Sequence, residues 1–132
     1  MPNLANITVK KNDGTSDQVY TGIRPAAGDQ PAVFRNLSVG VSVAQQPEVR
    51  VRVRDIVRKK APLTVVTKTY NWPRAVSNPS TGQVDIFPGV FRSETLEISK
   101  LMDATTRDEA ISQFLNLSVA TKQADKDGAS YY

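Results

Sequence analysis

The 132-residue sequence predicts an α+β fold, with an N-terminal β-hairpin, an antiparallel meander sheet and a C-terminal helix or helices, all in one domain spanning 1–132. Three observations carry that expectation. Apolar and polar residues alternate with period two through most of the first hundred positions, broken by turn-forming residues. Val49-Arg50-Val51-Arg52-Val53-Arg54 alternates without exception. After Asp103 the spacing of apolar residues changes to that of a helix.

Leu4 to Lys10 and Gln18 to Ile23 are β-prone runs flanking Asn12-Asp13-Gly14, whose residues tolerate positive φ, and together they form the hairpin. Pro25 to Pro31 has the Gly, Pro and Asp content of a loop. Val33 to Val43 is then expected to be a strand with Leu37, Val39, Val41 and Val43 on one face. After Gln45-Gln46-Pro47 comes the arginine strand, where side-chain alternation sends three valines to one surface and three guanidinium groups to the other. Lys59-Lys60-Ala61-Pro62 ends it, and Leu63 to Tyr70 pairs back antiparallel. Val65 and Val66 are adjacent, so its faces are not fixed by apolarity; the even positions Thr64, Lys68 and Tyr70 form the more polar set.

Asn71 to Gly89 is broken by Trp72-Pro73, Asn78-Pro79-Ser80-Thr81-Gly82 and Phe87-Pro88-Gly89, and is expected to be a long loop with a short β segment at Gln83 to Phe87. Val90 to Lys100 is the last strand, with Leu96 and Ile98 opposite Ser93, Thr95, Glu97 and Ser99. Thr106 as N-cap and Glu109 three residues on make a capping box, followed by Ala110, Ile111, Phe114, Leu115 and Ser118 at helical spacing. The tail beyond Lys122 is loop, short second helix or docked end.

Composition narrows the function. The chain has neither cysteine nor histidine, which removes disulfides, thiolate nucleophiles, Cys/His zinc sites and imidazole triads. No apolar run approaches the length of a membrane span, and the start lacks a signal-peptide core, so a soluble protein compatible with a reducing cytoplasm is expected. The net charge of +4 is unevenly placed. Arg50, Arg52, Arg54, Arg58, Lys59 and Lys60 stand against Asp55 alone within eleven residues, a footprint for a polyanion.

A single amphipathic helix is too little cover for the apolar face of a sheet of five or six strands spaced about 4.8 Å apart. Two chains laying their helices across a joint sheet would solve this and leave the opposite face continuous, with Arg50, Arg52 and Arg54 present twice. Arginines about 7 Å apart on one side of a strand lie within a Debye length and repel unless an anion bridges them. A polyphosphate is the natural bridge, and six to ten such contacts would weaken by roughly 10³ to 10⁵ between 50 and 200 mM salt. Lys68 is a further phosphate contact, Tyr70 a platform on which a base could stack, and Ser42, Thr64, Ser93 and Thr95 are hydrogen-bonding candidates. Ile111, Phe114 and Leu115 are the candidate dimer contacts. Asp55, Asp85 and Glu97 would be the carboxylates of an enzyme, but nothing in the sequence aligns them with a cleft, and the spacing of the acidic residues fits no metal-binding loop.

The succession of these pieces resembles the coat proteins of small single-stranded RNA bacteriophages, the levivirus type. The resemblance covers the whole chain: the hairpin turning at Asn12-Asp13-Gly14, Leu37 to Val43 closed by Gln46-Pro47, and Val90 to Ile98 leading into Thr106-Arg107-Asp108-Glu109 follow in the same order. It implies a non-enzymatic capsid protein, a homodimer whose sheet faces the inside of an icosahedral shell, usually T=3, with interlocked helices outside. It also implies an RNA genome and an RNA hairpin as partners, translational repression, a virion location after assembly in the host bacterial cytoplasm, and no cofactor, small-molecule substrate or membrane partner. Arg74, Asn78, Pro79 and Gly82 fall where the family's loop meets its symmetry mates. The rival reading of the same basic strand is a non-assembling RNA-binding β module.

Overall fold

A computed structural model describes residues 4–40 and 42–128. Six antiparallel strands form one sheet in sequence order: β1 (Ile7–Lys10), β2 (Asp17–Arg24), β3 (Ala32–Arg35), β4 (Glu48–Arg58), β5 (Ala61–Ser77) and β6 (Val84–Ser99). Helices α1 (Ala104–Ala120) and α2 (Lys122–Asp127) follow. Every strand pairs with its neighbour in sequence, which makes the sheet a meander with β1 and β6 at its edges.

The hairpin is as expected. Its turn is held by Asp13, whose carboxylate accepts from the Thr15 and Ser16 amides at 2.9 and 2.8 Å and from the Ser16 hydroxyl at 2.6 Å, while Gly14 takes φ +75°. Those hydrogen bonds, the Ser16 hydroxyl's first, hold the Asp13 carboxyl down at about 2.

The strand expected over Val33 to Val43 stops at Arg35. Asn36 ends it: fully buried, its Oδ1 accepts from Gln18 Nε2, from the Ser38 amide at 3.1 Å and from the Ser38 hydroxyl at 2.7 Å, and its own amide donates to the Pro47 carbonyl. An asparagine whose side-chain oxygen is satisfied by the backbone two residues on turns the chain away from the ladder. Leu37 and Val43 are consequently exposed, and a short 3-10 turn at Val43–Gln45 replaces the second half of the expected strand. Val41 lies outside the described residues.

The expected long loop over 71–89 is a β-ribbon. β5 runs on to Ser77 and β6 begins at Val84, so only 78–83 connect them, closed by Asn78, whose Oδ1 accepts from the Ser80 amide and whose carbonyl accepts from the Gly82 amide. Pro73, Pro88 and Gly89 mark a bulge and not a loop, while Pro79 and Gly82 belong to the short connection. The ladder shifts register between Trp72 and Arg74, where Pro73 has no amide hydrogen to give, and a Cβ on Gly89 would sit 2.2 Å from the Trp72 carbonyl oxygen.

Asp103, not Thr106, caps α1: its carboxylate accepts from both the amide and the hydroxyl of Thr106. Glu109 is left to accept from Gln113 one turn on. α2 is the short second helix among the alternatives, stopped by Gly128 at φ +61°. Tyr131 and Tyr132 lie outside the described residues.

Burial is sparse. Among the described residues the buried apolar side chains of the sheet are Ala32, Val33, Phe34 and Val65, all in the middle strands, with Pro47 buried just before β4. Val53, Val57, Val90, Phe91, Phe114, Leu115, Leu117 and Val119 all stand more than half exposed.

Candidate nucleic-acid interface

The β4–β5 register pairs Arg50 with Thr69, Arg52 with Thr67 and Arg54 with Val65, and the β5–β6 register then carries Thr69 to Ser93, Thr67 to Thr95 and Val65 to Glu97. Directly paired residues share a face. One side of the sheet therefore presents a row of guanidinium groups on β4 beside a field of hydroxyls, Thr67, Thr69, Ser93 and Thr95, on β5 and β6.

Val49, Val51 and Val53 lie on the other side, in register with Tyr70, Lys68 and Val66, which continue to Arg92, Glu94 and Leu96. Thr64 belongs to this side too, opposite Asp55 and Ile98. Of the residues singled out in the sequence, Ser93 and Thr95 thus stand with the arginines, whereas Thr64, Lys68 and Tyr70 are on the reverse face. The error lies in the parity of β5: the polar odd positions Thr67 and Thr69 share the arginine side and were not singled out. Ser42 is outside the sheet, just before the 3-10 turn.

The arginines have partners of their own. Glu48 Oε1 accepts from Arg50 Nε at 2.9 Å and lies 3.7 Å from Arg35, Asp29 accepts from Arg52 at 3.0 Å, and Glu97 from Arg58 at 2.8 Å. Intrachain carboxylates therefore relieve part of the repulsion that had been assigned to a bridging polyanion. Arg54 has no carboxylate within ion-pair distance among the described residues, and it is exposed. Arg35 and Glu48 are largely buried, but the Arg52–Asp29 and Arg58–Glu97 pairs are solvent-accessible, so each of these is worth little on its own and an incoming phosphate can compete for the guanidinium. Lys59 and Lys60 sit at the β4–β5 turn with φ of 50° and 64°, off the strand face proper.

The reverse face carries α1. A cavity of about 440 Å³ lies between helix and sheet, lined by Val66, Lys68, Leu96, Ile111, Phe114 and Leu115 among others. Arg92 Nη2 donates to Ser118 Oγ at 3.4 Å, which places the helix over β6, at the sheet edge. Ile111 is half-buried there, but Phe114 is 61% and Leu115 54% exposed, so the helix's own sheet covers neither. Tyr70, on the same face, has its hydroxyl pushed above the usual phenol range by burial and then by the charge of Glu94, and Arg92 stacks over its ring at 5.8 Å.

Arg74 lies in the ribbon, its guanidinium 5.1 Å from the Phe87 ring centroid, while Asn78, Pro79 and Gly82 form the ribbon's tip. The carboxylates considered for an enzyme do not converge. Asp55 is on the helix side, hydrogen-bonded by Thr64 and paired with Lys100, Glu97 is on the arginine side, and Asp85 is out on the ribbon.

No protein-family model matches the chain, and no curated protein matches it. Solved structures do. A virus-like particle of bacteriophage NT-214 superposes with a TM-score of 0.83 at 16% identity, covering 99% of this chain and 100% of that one. A virus-like particle of Beihai levi-like virus 21 gives 0.76 at 18% identity over 99% of both chains, and the protein capsid of bacteriophage GA gives 0.66 at 16% identity over 96% of both.

Proposed function

The chain has the fold of the RNA phage coat proteins, and from that premise we propose that it is a coat protein of a small single-stranded RNA bacteriophage. In this reading it forms a homodimer, the dimers close into an icosahedral shell of T=3 type, and the shell, assembled in the host bacterial cytoplasm, holds the RNA genome as a virion. The observation that carries the proposal is the match over 99% of this chain with chains solved as virus-like particles.

The molecule's own surfaces support it. The apolar side chains of α1 and of the β6 edge stand uncovered in a single chain, as subunits that bury them on a second copy require. Joining two sheets edge to edge through β6 would set the two arginine rows five strand spacings, about 24 Å, apart with the hydroxyls of Thr67, Thr69, Ser93 and Thr95 between them. Arginines at the margins would take phosphates, and the central hydroxyls would be the groups available for reading an RNA hairpin, which would make the same surface that of a translational repressor and packaging signal. The ribbon tip, with Asn78, Pro79 and Gly82, would meet neighbouring dimers in the shell.

Negative-stain electron microscopy of the protein expressed in bacteria is expected to show closed particles, with a 260 to 280 nm absorbance ratio raised by packaged RNA. A chain that elutes as a free monomer or dimer under all mild conditions, with no particles, is instead a non-assembling RNA-binding module.

A further inference from the structure

β6 is the free edge of the sheet on the helix side, and its sequence carries opposite charges two residues apart on one face. Arg92 and Glu94 both lie on the valine side, where they form an ion pair within the chain. They are flanked by Val90, 72% exposed, and by half-buried Leu96, which share that face. An unpaired edge with this pattern is complementary to itself in one antiparallel register.

If a second copy pairs through β6 about a twofold axis normal to the sheet, so that both helices lie on the same side, paired residues have the same parity and the axis passes through one residue. An axis through Arg92 sets Arg92 against Arg92 and Glu94 against Val90. Passing it through Glu94 sets Glu94 against Glu94 and Arg92 against Leu96. Phe91 as centre places Arg92 against Val90 and Glu94 against Pro88, and Thr95 as centre places Glu94 against Leu96 and Arg92 against Ile98. An axis through Ser93 alone sets Arg92 against Glu94 twice and Val90 against Leu96 twice. Like charges directly opposite are destabilising and opposite charges stabilising, so of these five the fourfold charge cluster favours one.

We propose that the pairing of two copies is centred on Ser93 and that Arg92 and Glu94 are the residues that fix its register, each answering the other across the interface. The proposal rests on the coat-protein reading for the existence of a second copy joined through β6 and goes beyond it in naming the register of that pairing and the residues that set it. The helix lies over this charged pair, with Ser118 accepting from Arg92, so the register also decides how far each α1 overhangs its neighbour's sheet.

The protein has no cysteine, which makes single-cysteine cross-linking clean. With the axis at Ser93 the two side chains at that position face one another within roughly 5 Å, close to disulfide reach, whereas the two copies of position 91, or of position 95, are offset by four residues, about 13 Å. Under mild oxidation Ser93→Cys should cross-link most of the protein, Phe91→Cys and Thr95→Cys should each give little, and a mixture of those two should give a 91–95 heterodimer. Charge reversal supplies a second readout. Arg92→Glu and Glu94→Arg should each weaken self-association at least tenfold, while co-expression of the two, or both changes in one chain, should restore it.

Cross-linking at position 91 or 95 and not at 93, or single reversals that dimerise as tightly as the parent, would overturn the register and leave the coat-protein reading standing. An unaltered protein that light scattering finds monomeric, with no cross-link at any of the three positions, would overturn both.

Discussion

At Gly89 the backbone of β6 passes so close to β5 that a methyl group would lie 2.2 Å from the Trp72 carbonyl oxygen. The neighbouring Pro73 lacks the amide hydrogen that would otherwise hold the ladder closed there, so the bulge depends on the one residue with no side chain. Gly89→Ala should therefore force the two strands apart and cost about 1–3 kcal/mol, read as a lower urea midpoint; an unchanged midpoint would mean that the strands do not approach so closely. The sequence showed that residues 73 and 89 were special without showing that they were special together. Arg50, Arg52 and Arg54 were legible because strict alternation leaves only one way to sort a strand into two faces. Thr67 and Thr69 were not, because the adjacent valines at 65 and 66 conceal the parity of β5, and only pairing with β4 settles it.

Among the elements, those with local signals were read correctly: the Asp13 turn, the arginine strand and the helix, whose start needed only a shift of cap from Thr106 to Asp103. Asn36 and the ribbon were misread because their outcome depends on distant partners, Gln18 and Pro47 in the first case and the opposing strand in the second. Pro and Gly at 73, 79, 82, 88 and 89 suggest a loop to any local reading, and a long β-hairpin overrides them by pairing on both sides of the bulge. The β4–β5 turn is a local feature with a local cost. Lys59 and Lys60 both hold positive φ, where side-chain-bearing residues other than Asn and Asp are strained and where Asn-Gly is the favoured pair. Replacing them by Asn-Gly (Lys59→Asn with Lys60→Gly) should raise stability by about 1–2 kcal/mol in urea denaturation. No gain would show that the turn is already relaxed.

For the molecule as a whole, the imbalance between a sheet of five or six strands and one long helix could be read from the sequence, and it returns in the structure as few buried apolar side chains against many exposed ones among the described residues. The electrostatic expectation survives in altered form. The arginine row exists, but Glu48 and Asp29 already hold two of its members, which leaves Arg54 the most available for an anion. Arg50→Ala combined with Arg52→Ala and Arg54→Ala should leave the circular-dichroism spectrum unchanged and lower the nucleic acid recovered with the protein, making the salt dependence of RNA binding shallower by up to about three phosphate contacts per subunit. Arg54→Ala alone should account for the largest single share. The same nucleic-acid content in the triple variant would remove the strand from the interface.

Because each strand pairs only with its neighbours in sequence, the sheet can be laid down in the order in which the ribosome delivers it, with no strand waiting for a distant partner. The last strand to arrive, β6, carries the open edge beneath the helix side, and α1 comes after that. The surface on which two copies meet in the proposed dimer is thus completed last, so sister chains emerging from one message can join through it only once translation is nearly over.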